Sequence, residues 1–191
     1  MARKSKAEIN RQLFKKANNY HRKKWFTDSQ KSMDFYLNEQ LTAEEKENLQ
    51  ESGMPDFIIN RITPAVDIMK FFVTANNPRW QAVGVEGSDI DIANVHSAVA
   101  DYCWHLSDGK SVFSNVIQDS LVKGCGFFKI NIDSNADNGA GEVKYDSIDP
   151  YDVYVDPMSR DFLFRDASYI MVQKNLPKTA LIKLFPQYKR K

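Results

Sequence analysis

Asp133, Glu142 and Lys144 are the residues whose types and spacing come nearest to catalysis. Glu142-Val143-Lys144, with an aspartate one hairpin arm earlier, matches the D…E-x-K pattern of metal-dependent nucleases. There two carboxylates hold a divalent ion and a lysine stands beside the attacking water. On a strand Glu142 and Lys144 share a face, as that chemistry requires. Alternating charges on a solvated strand face write the same short string, so a metal-dependent DNA nuclease is the alternative function rather than the primary one. A second metal reading concerns the loop Asp133-Ser134-Asn135-Ala136-Asp137-Asn138-Gly139. Asp133, Asn135 and Asp137 fill the first three ligand positions of a calcium loop. Asn138, however, stands where the sharp turn needs Gly, and Lys144 where the bidentate Glu belongs. Asn, Asp and Gly are equally what a hairpin loop needs.

Other reactive side chains are dispersed. His96 and His105 lie on opposite faces of one helical segment at 100° per residue and share no ion; His105 sits one turn after Asp101, where a surface contact is the simpler reading. Cys103 and Cys125 match no metal-ligand spacing and read as reduced, small, interior residues. There is no Ser-His-Asp order, nucleophile elbow or HExxH, and Gly124-Cys125-Gly126 lacks the spacing and Lys-Ser/Thr of a phosphate loop. We therefore expect no enzyme, no metal and no cofactor.

The elements around these residues follow from periodicity. Residues 5–26 place Ile9, Leu13, Phe14 and Ala17 at helical spacing among basic residues, which predicts one basic amphipathic helix. Thr42-Ala43-Glu44-Glu45 is a capping box opening a short helix that ends at Gly53. A longer helix over about 60–75 places Ile62, Val66, Met69 and Val73 on one face, with Pro64 in its first turn and Asn76-Asn77-Pro78 after it. Trp80 to Val85 reads as a short strand. Residues 89–107 predict a helix whose buried stripe is Ile92, Val95, Val99, Tyr102, Cys103 and Leu106. Ser111 is expected to cap the next helix, which ends at Gly124. The period then switches to two: Phe128, Ile130 and Ile132, a Gly/Asn/Asp loop over 134–141, and Val143 and Tyr145 predict a β-hairpin.

In residues 148–157, I-D-P-Y-D-V-Y-V-D-P, two pairs, Asp149-Pro150 and Asp156-Pro157, bracket an alternating run. Proline lacks an N–H and disfavours helix before it, so this run is a strand with a turn at each end, and the two aspartates read as turn formers. Tyr169–Gln173 adds a further strand, and Pro177 opens a last helix. The expected class is α+β, helices first and then a small antiparallel sheet.

Charge is unevenly spread. Arg3, Lys4, Lys6, Arg11, Lys15, Lys16, Arg22, Lys23 and Lys24 face a single acid, Glu8, within residues 1–26. Of the chain's 26 basic and 25 acidic residues this leaves 17 against 24, a net of −7. The basic head suits a polyanion or an acidic neighbour. A stand-alone basic-armed DNA-binding module is a third reading. At 42% apolar and 12% aromatic residues the chain can build a core. Neither a bilayer-length apolar run nor the h-region of a secretory signal is visible, so no membrane partner is expected.

Several short signatures occur in order. They are Asp34-Phe35-Tyr36 with Gln40; Met54-Pro55 followed by Asn60-Arg61-Ile62; Asn77-Pro78-Arg79; Phe113, Asp119, Gly124 and Gly126; and Asp149-Pro150, Val153, Asp156-Pro157 and Asp166-Ala167. Together they resemble phage portal proteins, particularly those of short-tailed phages, over about residues 34–186. Leu41 departs from the pattern, which has Trp after the Gln. The resemblance implies a wing-like α+β domain, residues 34–191, preceded by a basic helical arm, residues 1–33. It covers an N-terminal, wing-side portion; stem helices, clip and crown have no counterpart. It further implies a homo-oligomeric ring, usually a dodecamer, in the virion at a capsid vertex, assembled in the host cytoplasm. Its implied partners are the major capsid protein, terminase, tail and adaptor proteins, and double-stranded DNA moving through the channel in packaging and ejection. Pro55, Asn60, Pro78, Gly124, Gly126, Asp149, Pro150, Asp156 and Pro157 would be structural motif positions.

Overall fold

A computed structural model describes residues 5–76 and 78–186. Among them the order is α1 (Lys6–Ala17), α2 (Tyr20–Tyr36), α3 (Ala43–Glu51), α4 (Ile62–Thr74), α5 (Ile90–Leu106), α6 (Gly109–Lys123), β1 (Phe127–Asp133), β2 (Glu142–Ile148), β3 (Val153–Val155), β4 (Ile170–Val172) and α7 (Lys178–Leu184). The fold is α+β with helices first. The strands form two separate antiparallel pairs, β1–β2 and β3–β4, rather than one sheet. Residues divide into two compact units: 24–150, and those up to Lys23 joined to those from Tyr151 on. No helix among the described residues is long and apolar enough to cross a membrane.

The unit 24–150 is organised around the hairpin. Phe127 pairs with Ile148 and Asp133 with Glu142 in unbroken register. Cys103, Trp104 and Tyr145 form the buried cluster, with Phe113, Phe128 and Val143 packed against it. Trp104 stacks on Phe128 at 6.0 Å and meets Tyr145 edge-on at 5.5 Å. Gly109 lies so close under this indole that a Cβ there would come 2.2 Å from Trp104 Cδ2.

The packing turns α5 away from the predicted face. Cys103 is buried as expected, but Ile92, Val95, Val99, Tyr102 and Leu106 are exposed. The inward side is Ala93, Cys103 and Trp104, because the large indole takes the hairpin contact and sets the helix rotation. Trp80 to Val85 is irregular rather than a strand, with no ladder partner among the described residues. Ser111 lies inside α6; the position before that helix is Asp108, in left-handed backbone at φ 48°.

Residues 5–26 are two helices, not one. Asn19 breaks the run: its Oδ1 accepts the Arg22 amide at 2.9 Å, the capping bond of a new N-terminus. The Thr42–Glu45 capping box forms in both directions. At the far end of α3, Gly53 at φ 67° donates to Gln50 O while Met54 donates to Leu49 O, a Schellman closure.

In the second unit, β3 pairs with β4, Val153 opposite Val172. Phe14 of α1 packs on Tyr154 with ring centres 4.5 Å apart, and the Tyr169 hydroxyl donates to Leu13 O at 3.2 Å. Ala17 and Val153 are its buried apolar residues.

Candidate functional site

Four places carry the sequence-predicted residues: the mouth of the β1–β2 hairpin, the helix joints, the two Asp-Pro pairs, and the basic head.

At the hairpin mouth the register puts Asp133 opposite Glu142 and Asn131 opposite Lys144, so Asp133, Glu142 and Lys144 share one face. Lys144 Nζ lies 2.6 Å from Asp133 Oδ2. That hydrogen bond, the Asn135 amide and the lysine's charge hold the Asp133 carboxyl below its usual range; the same bond raises Lys144. The lysine thus occupies the oxygen a metal ion would need. Among the described residues no group of three or more His, Cys, Asp or Glu is placed to hold a metal.

At the α2–α4 joint, Asn60 Oδ1 accepts the Ile62 amide at 2.9 Å and the Thr63 amide at 3.3 Å, capping α4. Its Nδ2 reaches Phe35 O, Tyr36 O and Thr63 Oγ1 within 3.2 Å. The Thr63 hydroxyl also donates to Tyr36 O. One amide thereby starts α4 and fastens it to the end of α2. The Tyr36 hydroxyl donates to Asp67 at 3.0 Å; burial first and this carboxylate second raise its pKa. Pro55 is exposed just beyond the α3 cap, Pro78 is half-buried, and Asn77 lies outside the described residues.

Gly124 ends α6 in left-handed backbone at φ 84°. Gly126 is needed for a different reason: a Cβ there would stand 2.2 Å from Val116 O. The strand leaves the helix so tightly that no side chain fits between them.

Asp149, expected to be a turn former, holds a lysine. Lys123 is buried, and its ammonium lies 2.8 Å from Asp119 and 3.0 Å from Asp149. Burial pulls the lysine pKa down, but the hydrogen bonds and charges of the two aspartates outweigh it, and the net direction is up. The Trp25 indole N–H donates to Lys123 O at 3.0 Å, so α2, the end of α6 and the first Asp-Pro pair meet at one residue. Pro150, the second residue of that pair, is fully buried.

Asp156 is a turn former. Its Oδ1 accepts the Met158 amide at 3.1 Å and its Oδ2 the Ser168 amide at 3.2 Å. The Met158 bond first, then those from Ser168, lower its pKa against the effect of burial. Asp166 takes the Ser159 hydroxyl at 2.6 Å, the Arg160 amide at 2.8 Å and the Asp161 amide at 3.3 Å, and it too is lowered, chiefly by Ser159. Pro157 is exposed at the start of this loop.

Of the basic head, Arg3 and Lys4 lie outside the described residues. Lys6, Arg11, Lys15, Lys16, Lys23 and Lys24 are exposed. Arg22 differs: its guanidinium donates to Tyr151 O at 2.8 Å and lies 4.9 Å over the Tyr154 ring. Sequence reasoning missed Lys123 and Trp25, whose partners lie up to 98 positions away. Lys123 carried one readable signal, an aspartate four residues earlier on the same helix.

Within this α+β fold the motif aspartates Asp149, Asp156 and Asp166 brace buried or turning segments of the chain. The phage P22-like portal protein family matches residues 11–191, and the chain belongs to that family, a family of structural proteins of the phage particle. No curated protein matches the chain.

Proposed function

We propose that this chain is a structural subunit of a portal ring at one capsid vertex, the channel through which double-stranded DNA is packaged and later ejected. The family match over residues 11–191 is the observation that carries this reading. The protein acts by shape and attachment, without catalysis or a cofactor. The body, residues 34–191, supplies contacts to the major capsid protein and to neighbouring subunits in a ring of about twelve copies. Terminase and the tail or adaptor proteins engage the assembled ring. The arm, residues 1–33, presents Lys6, Arg11, Lys15, Lys16, Lys23 and Lys24 to nucleic acid or to an acidic partner, with Arg3 and Lys4 extending the same charge. Arg22 is held internally and contributes less to that surface.

Immunogold labelling of phage particles with an antibody to this chain tests the placement. Label at a single vertex supports it; label spread over the shell, or on no intact particle, overturns it.

A further inference from the structure

Two helices carry opposite charge that nothing nearby neutralises. α1 holds Lys6, Arg11, Lys15 and Lys16 against one carboxylate, Glu8, a net of +3. That carboxylate is already used: it accepts the Ser5 amide at 2.9 Å and closes the α1 capping box. Leu13, Phe14 and Ala17 are the residues α1 turns inward, whereas its four cations are exposed. Those cations form no ion pair among the described residues. Arg11 and Lys15 stand one turn apart on one face, with Lys16 next in sequence.

α3 is the reverse. Glu44, Glu45, Glu47 and Glu51 stand against one lysine, Lys46, a net of −3. Glu45 is used in the Thr42 capping box. Glu44, Glu47 and Glu51 are exposed, form no ion pair among the described residues, and fall along one face of the helix. None of the nine residues of α3 is buried. A helix this short is marginal in water, and one that is polar all round draws little stability from burial, so α3 gains from a partner laid along it. Its uncompensated charge says that the partner is basic. The outward face of α1 has that chemistry: unpaired cations on a helix already anchored from behind. Charges one turn apart on both helices, about 5.4 Å, let the two rows lie side by side.

We propose that the cationic face of α1 in one copy seats on the face of α3 formed by Glu44, Glu47 and Glu51 in a second copy. Every copy carries one of each, so the contact is head-to-tail, the kind that closes into a ring when its rotation permits. Like charges repel, so the same rows disfavour α1 on α1 and α3 on α3. The inference rests on the ring reading above, and of the two partners open to the arm it assigns the acidic one.

The test is sedimentation of the purified full chain in the analytical ultracentrifuge, with circular dichroism to verify folding. One variant reverses α1, Arg11→Glu with Lys15→Glu. A second reverses α3, Glu47→Lys with Glu51→Lys, and a third carries all four changes. The four positions are exposed and none belongs to a capping box. The unmodified chain is expected to self-associate, and less so in about 1 M salt, where charges are screened beyond about 3 Å. Each two-site variant should need a concentration about tenfold higher to assemble. The four-site variant should assemble like the unmodified chain, because the exchanged rows attract again. If the unmodified chain forms rings and a two-site variant does so equally well, this contact fails and the ring reading stands. A four-site variant no better than the two-site variants overturns the pairing, since the two rows then meet different partners. Loss of duplex DNA binding in the α1 variant with its assembly unchanged gives the arm to nucleic acid and overturns the pairing too. An unmodified chain that is monomeric at every concentration contradicts both the contact and the ring reading.

Discussion

Gly126→Ala isolates one physical cause at the α6–β1 junction. The new Cβ would sit 2.2 Å from Val116 O, 2.9 Å from Val116 Cγ1 and 3.1 Å from Val116 C. The nearest atom is backbone in the middle of a helix, so no rotamer change relieves the clash; strand or helix must shift. Overpacking of this kind costs about 3 kcal/mol. For a protein of this size that lowers Tm by roughly 6–12 °C. Gly139→Ala is the control in the same unit. Its φ is 96° and nothing lies within 4 Å of its Cβ, so it bears only the left-handed backbone cost of about 1 kcal/mol, or roughly 2–4 °C. Thermal unfolding followed by tryptophan fluorescence compares the two, since Trp104 sits in the core against the hairpin. If Gly126→Ala melts no lower than Gly139→Ala, the close approach is not what the site requires.

Other outcomes follow from the same contacts. Thr42→Ala removes the α3 capping box and should cost about 1 kcal/mol, read as a fall in Tm of a few degrees. The carboxyls of Asp156 and Asp166 are lowered from 3.8, so their bracing of the loop is complete above that pH and is lost as pH falls through the lower folded values. Amide exchange at Met158 and Ser168 should therefore quicken only below about pH 3.8; quickening near neutrality would contradict it. Asp156→Asn should speed chymotrypsin cleavage at Phe162 at neutral pH, and unchanged cleavage would count against the bracing role. The protein with magnesium should leave DNA intact, with Glu142→Ala identical to the unmodified chain. Cleavage abolished by that variant would revive the nuclease reading.

The sequence carried the local devices well. Thr42 and Glu45, Gly53, Gly124 and the switch from period 3.6 to period 2 at Phe128 each act through neighbours a few residues away, so their chemistry is visible in the string. Asn18-Asn19 was equally local, and reading through it as one helix overlooked a capping side chain. The rotation of α5 was not legible. An apolar stripe names a face that needs covering, but Trp104 decided which face met the hairpin, and the stripe was left outward. That β1–β2 and β3–β4 would remain two pairs is a matter of long-range register, which alternation along single strands does not encode. At the candidate site the Asp-Pro pairs were visible as turns. The lysine that Asp149 holds was not, since burial at Lys123 depends on α2 and α6 meeting there.

Native mass and electron-microscope images of the purified protein test the central claim most directly. The account predicts closed rings with a central hole and a mass near a dozen copies; a monodisperse monomer at all concentrations would contradict it.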